Sequence, residues 1–216
     1  MNFHIPTQRR CWHWSDVRFI MMLRFKRGLD SPYLMKQTIR ERSDSVVKLL
    51  NITSKSQHDT DIDERFRPSA CGPVTAYVMM EYHFSNAHRY TVNDLYRLLG
   101  STKIGLFTWR FIRNMRKLLG PDWAIERCSI EEVMRQLDQG HPVAAKFDKW
   151  FTFRWRGKYE FDYHWVPIVG YEVINADLML LIHDNGGKNR PSQLRRVSFK
   201  KNKPILTFVK MEKNKK

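Results

Sequence analysis

The chain has 216 residues, 42% of them hydrophobic, and a formal net charge of +16. That apolar content supports one real core and excludes wholesale disorder, and no run approaches the ~18–20 apolar residues of a membrane helix. The basic field attracts anions non-specifically, yet no zinc-finger spacing or RNP-type aromatic motif points to specific nucleic-acid binding.

Residues 1–44 read as a basic, aromatic-rich extension with helical character. Phe19, Ile20, Leu23 and Phe25 can share one face, with Arg18, Arg24, Lys26 and Arg27 around it. Two readings stay open: packing on the main domain, or weak contact with an anionic membrane as an interfacial helix. The ragged periodicity favours packing. Phe19–Leu23 is too short for a secretory signal, so the simple expectation is a cytoplasmic, at most membrane-peripheral, protein. The three cysteines, Cys11, Cys71 and Cys128, form neither a metal-ligand spacing nor an even disulfide set.

The main domain is expected over residues 45–212. Residues 46–53 read as a short strand, and the polar stretch 54–70 with Pro68 as a loop. Residues 73–84 are apolar nearly all round, as a central buried helix would be. Thr91 and Asp94 form a capping-box pattern opening a helix over 92–99, which Gly100 ends. Residues 107–119 form a third helix with Arg110, Arg113, Arg116 and Lys117 on its wet side, and Ser129 with Glu132 opens a fourth that Gly140 stops. Strand patterns follow: 142–150, the run from His164 to Tyr171, 178–184, and 198–199 with 205–211. A turn is expected at Arg156-Gly157-Lys158. Helices first and strands afterwards predict an α+β fold, with a frayed basic tail over 213–216.

Cys71 stands in Ser-Ala-Cys-Gly-Pro, directly before the apolar helix. Proline tolerates a first helical turn, so the thiol sits at a helix N-terminus, where unpaired N–H groups and the dipole favour a thiolate. His164 opens one strand and Asp184 closes the next. If the hairpin between them centres near residue 175, His164 falls opposite position 186 and Asp184 becomes its diagonal neighbour on the same face. A slip of one residue would separate them. Cys71 would then attack a carbonyl carbon, His164 would hold and return the proton, and Asp184 would orient the ring. Asn185 is the rival orienting residue, with opposite strand parity. His183 points away from Asp184 and reads as structural.

Cys71-Gly72-Pro73, the run His164-Trp165-Val166-Pro167-Ile168-Val169-Gly170-Tyr171 and Ile182-His183-Asp184 together resemble the C39-like cysteine peptidase family, over about residues 46–211. Gly140-His141-Pro142-Val143 resembles the family's entry into the first central strand. The resemblance implies a papain-like fold, peptide or protein substrates, and no cofactor or metal. It also implies an oxyanion glutamine before the Cys. None lies between Glu64 and Ala70, but residues 49–57 resemble the strand that ends in that glutamine. Gln57 is the candidate, followed by an insertion.

The leading expectation is a cysteine peptidase or amide hydrolase. A non-catalytic peptide-binding module and an acyltransferase with the same three residues are the alternatives. Trp109, Trp150, Trp155 and Trp165 are either groove-lining or core, and Asp148, Glu160 and Asp162 would favour basic substrates if they border the groove. The oligomeric state is not legible.

Overall fold

The computed structural model describes residues 48–85, 90–188 and 190–214; the basic extension and Cys11 lie outside them. Its organising element is a helix, α1 (Cys71–Phe84), whose residues Val74, Ala76, Val78, Met79 and Met80 are all buried. Apolar side chains all round a helix require partners all round it. α1 packs against α2 (Val92–Leu98) and against the sheet, above all β4, and shares its core with α3 (Thr108–Leu119). The shared core gathers Met79, Met80, Leu95, Leu99, Phe111, Met115, Trp165 and Val209. Phe111 stacks on Trp165 with ring centroids 4.8 Å apart.

The strands are β1 (Lys48–Leu49), β2 (Trp123–Cys128), β3 (Val143–Asp148), β4 (Tyr163–Ile174), β5 (Asp177–Asp184), β6 (Gln193–Ser198) and β7 (Leu206–Lys213). They form one antiparallel sheet in the order β2-β7-β3-β4-β5-β6, with β1 also paired to β4. Between β2 and β3 runs α4 (Ile130–Asp138), and a short α5 (Phe199–Asn202) follows β6. Helix starts follow their signals: Thr91 and Asp94 complete a reciprocal capping box, and the Ser129 hydroxyl accepts from the N–H of Glu132.

The sequence pattern misses β2 altogether and misplaces β6, setting a strand at Ser198–Phe199 where α5 begins. Both are edge strands with exposed polar side chains, the charged Glu126 and Arg127 in one, Gln193 and the charged Arg196 in the other. Edges covered on one side only lose the apolar alternation that marks a strand. Of the strand expected over 46–53, only Lys48–Leu49 is strand; residues 50–53 carry no regular structure, and 46–47 lie outside the described residues. At the C-terminus β7 outruns its expected end: Lys213 pairs with Trp123, and the Asn214 N–H donates to the Asp122 carbonyl at 2.7 Å.

The β4–β5 hairpin carries the detail on which the site turns. Its loop is the two-residue turn Asn175-Ala176, both with positive φ (50° and 60°), the signature of a type I′ turn. That turn pairs Val173 with Leu178 and Gly170 with Leu181. Continued without interruption, this register would send His164 and Asp184 to opposite faces. A bulge at Val169 shifts the pairing, so that Ile168 meets Ile182 and the two side chains share a face. The bulge coincides with the docking of β1, where the Leu50 N–H donates to the Val169 carbonyl at 2.8 Å. Gly170 makes that approach possible: a Cβ there would lie 2.0 Å from the Lys48 carbonyl oxygen.

Gly170→Ala is therefore expected to expel β1 and lower stability by about 1–3 kcal/mol. Urea unfolding, compared with the parent chain, reads the loss.

Candidate active site

Cys71 is the first residue of α1, preceded by Ala70, which gives no side-chain cap. A helix start left uncapped keeps its N–H groups and its positive end for whatever sits at the tip. Here that is the sulfur, buried at 5% exposure. The His164 side chain and the backbone N–H groups of Trp165 and Gly72 act on the thiol and favour its charged form. His164, 7% exposed, comes from the start of β4. Its Nε2 lies 3.0 Å from Asp184 Oδ1, leaving the other ring nitrogen for the sulfur.

Electrostatics within this line run against desolvation and overcome it. Burial pushes the Cys71 thiol up, but the hydrogen bond and charge of His164 and the backbone donors bring it below its ordinary value. Burial alone would lower His164; the hydrogen bonds to Asp184 and Cys71 raise it to about 9. Burial would raise the Asp184 carboxyl, yet the bonds from His164 and Arg195 hold it well below the usual carboxylate range. The contrast is Cys128, pushed up to about 12 by burial and the charge of Glu132.

Asn185 does not reach the ring. Its Nδ2 faces the Cys71 carbonyl (3.2 Å), Thr75 Oγ1 (3.2 Å) and the Trp165 carbonyl (3.1 Å), so its side chain ties the end of β5 to α1 and β4. His183, on the other face, interacts with the Ile52 backbone.

Gln57 is held from two ends. Its backbone N–H donates to the Asn185 carbonyl at 2.8 Å, and its Nε2 donates to the Arg67 carbonyl at 2.9 Å. The segment between Gln57 and Cys71 is held by Arg67, whose guanidinium reaches the Ile62 and Thr60 carbonyls. Gln57, Cys71, His164 and Asp184 all line one open groove of about 780 Å³.

The other wall of this groove carries Ile104, Trp150 and Phe151, all at least half exposed. Glu160 and Asp162 also border it. Trp165 is fully buried core, and Asp148 is buried against Lys146, Nζ to Oδ2 2.6 Å, with Lys146 ringed by Phe107, Phe151, Tyr163 and Trp165. Trp109 and Trp155 are exposed side chains outside the groove lining. Two site residues escaped the sequence reading. Arg190 and Arg195 both contact Asp184 Oδ2, at 2.6 and 3.0 Å. The signal for Arg195 was strand parity: β6 pairs Ile182 with Arg195, which puts Arg195 diagonal to Asp184 on the same face, but β6 itself was not recognised.

A buried helix-tip cysteine beside a histidine and an aspartate on neighbouring strands of one antiparallel sheet is the arrangement of a papain-like cysteine peptidase fold. The Peptidase_C39 like family pattern matches residues 49–214, and the chain belongs to that family. Among solved structures, the peptidase domain of Streptococcus ComA, a bi-functional ABC transporter involved in a quorum-sensing pathway, is 16% identical, with 76% of this chain and 97% of that one covered and a TM-score of 0.46. UfSP from C. elegans is 12% identical over 79% of this chain and 35% of that one, with a TM-score of 0.51, a likeness of fold. No curated protein sequence matches this chain. No helix among the described residues is long and apolar enough to cross a membrane.

Asn185→Ala removes the donor that joins β5, β4 and α1. We expect a loss of about 1–3 kcal/mol from the acceptors left buried, read as a lowered midpoint in chemical unfolding.

Proposed function

We propose that the protein is a thiol hydrolase acting on peptide or amide bonds, with Cys71 as nucleophile, His164 as proton carrier, Asp184 as orienting carboxylate and Gln57 as oxyanion donor. The observation that carries this reading is that the His164 ring is bonded to Asp184 at 3.0 Å, acts on the Cys71 thiol, and opens with both onto one groove. Its resting form is a thiolate paired with an imidazolium. The thiolate attacks the carbonyl carbon, and the carbonyl electrons move onto oxygen. The oxyanion faces the N–H groups of the helix tip and the second N–H of the Gln57 amide, the first being engaged by Arg67. Collapse of the tetrahedral intermediate expels the amine, which takes the proton from His164, and leaves a thioester on Cys71. Water, deprotonated by the neutral imidazole, then releases the acid. Asp184 holds the ring in place throughout. The open groove with one apolar wall suits an extended peptide.

Two measurements test this. Iodoacetamide should alkylate Cys71 far faster than Cys128 at neutral pH, and the Cys71 rate should fall less than that of an ordinary thiol as pH drops from about 9 to 7. An ordinary thiol, with a pKa of about 8.5, slows well over tenfold across that range. The sign follows from the two groups: the reactive pair exists above the lowered Cys71 value and below the raised His164 value. Peptide mapping that finds Cys71 no faster than Cys128 overturns the reading. In turnover assays on a peptide library, Cys71→Ala should abolish cleavage, and Gln57→Ala should cut kcat by about 10²–10³ with little change in the alkylation rate. A Gln57→Ala enzyme with parental kcat would remove Gln57 from the mechanism.

A further inference from the structure

Asp184 has more partners than a ring-orienting carboxylate needs. Its Oδ1 accepts from His164 Nε2 at 3.0 Å and from the Gly186 N–H at 3.1 Å. Its Oδ2 accepts from Arg190 Nη2 at 2.6 Å and from Arg195 Nη1 at 3.0 Å. Four donors on two oxygens leave the carboxylate no freedom to turn, and two guanidinium charges face one negative charge.

The packing around both arginines is specific. Arg190 folds over Gly187, whose φ is +94° and where a Cβ would lie 2.2 Å from its Nε. Its Nη1 reaches the Pro191 carbonyl at 3.2 Å. Arg195 lies over the Phe161 ring at 5.1 Å, and that ring in turn lies 4.8 Å from the His164 imidazole. The second nitrogen of Arg195 pairs with Glu160, which also lies 3.6 Å from Lys201 Nζ.

We propose that Arg190 and Arg195 are positioning residues for the reaction, locking the Asp184 carboxylate with one oxygen on the ring and partly offsetting its negative charge so that His164 can release its proton to the leaving amine. This rests on the Cys71–His164–Asp184 reading. An imidazolium beside an unshielded buried carboxylate holds its proton more tightly, and a general acid that holds too tightly is slow. Each nearby cation opposes that hold. The charged and titratable groups that act on the ring directly are Cys71 from α1 and Asp184 from β5; Arg195 from β6 and Arg190 from the segment between the strands act through the Asp184 carboxylate. Glu160 acts only through Arg195, and the Tyr163 hydroxyl, on the same strand, stays neutral because burial and the charge of Cys71 raise it.

The test uses the full chain with Arg190→Met, Arg195→Met, the double variant, and the conservative Arg190→Lys and Arg195→Lys. The readouts are the His164 ring-proton titration by NMR and turnover of a peptide p-nitroanilide, whose leaving group is an amine. Removing both cations should move the His164 midpoint up by about one pH unit. The Lys variants should keep the midpoint near the parent's, because charge is retained. Their turnover should still fall about tenfold, because an ammonium cannot reproduce the planar fork that fixes the carboxylate. A folded double variant with an unmoved midpoint overturns the proposal, as does a Lys variant that shifts as far as its Met counterpart. If the double variant does not fold, Arg190→Met decides alone, since that side chain lies on the segment between β5 and β6 and is 29% exposed. Iodoacetamide mapping of the parent chain separates the two failures. A sluggish Cys71 removes the triad itself, whereas a reactive Cys71 with an unmoved midpoint removes only the arginine role.

Discussion

One extra residue in β4 governs the geometry of this protein. The tight Asn175-Ala176 turn imposes a register that would separate His164 from Asp184, and the bulge at Val169 reverses it within the same hairpin. Because side chains alternate along a strand, a one-residue offset is a change of face and not a small displacement. The bulged backbone does not stand alone. Its carbonyl is taken by Leu50 N–H, and the neighbouring Gly170 leaves room for β1. A two-residue strand far from the thiol in sequence therefore helps set the face on which the site is built.

Burial of the site sets up a chain of obligations. A cysteine 5% exposed can carry charge only beside a cation, and His164 is the group placed there; a 7% exposed imidazole can be protonated only beside an anion, which Asp184 supplies; and a 1% exposed carboxylate needs donors on both oxygens. Arg190 and Arg195 complete the series at the groove edge, where guanidinium groups can still be partly hydrated. Each group would be expensive to bury singly. Together they form a line of mutually compensating groups running from the helix tip to the groove edge. The glycines after Asp184 belong to the same design: Gly186 admits the His164 ring, whose Cε1 would lie 3.0 Å from an added Cβ, and Gly187 admits Arg190.

Much of this was legible in the chain because the relevant signals are local. Cys-Gly-Pro before an apolar run marks a helix tip, Thr91 with Asp94 marks another start, and the apolar runs around His164 and Asp184 mark central strands. Their even numbering suggested a shared face, yet the assumption behind it, a loop centred on residue 175, does not describe the turn. The correct face arises from a bulge that the sequence pattern does not announce. Trp165 illustrates the other limit: its position in a strand was readable, but whether it faced groove or core depended on Phe111 and on the Leu106 carbonyl, which accepts from its Nε1 at 2.8 Å.

Local chemistry in the sequence determined the helix that carries the sulfur, the strands that carry the ring and the carboxylate, and the α+β class. Those follow from caps, periodicity and chain order, all of which act over a few residues. Tertiary structure alone decided that Arg190 and Arg195 share a carboxylate with His164, that Asn185 serves the scaffold and not the ring, and that Gln57 is fastened between Arg67 and Asn185. Those depend on the register of edge strands and the path of an insertion, which are fixed by packing between segments distant in the chain and leave no periodic trace in either segment.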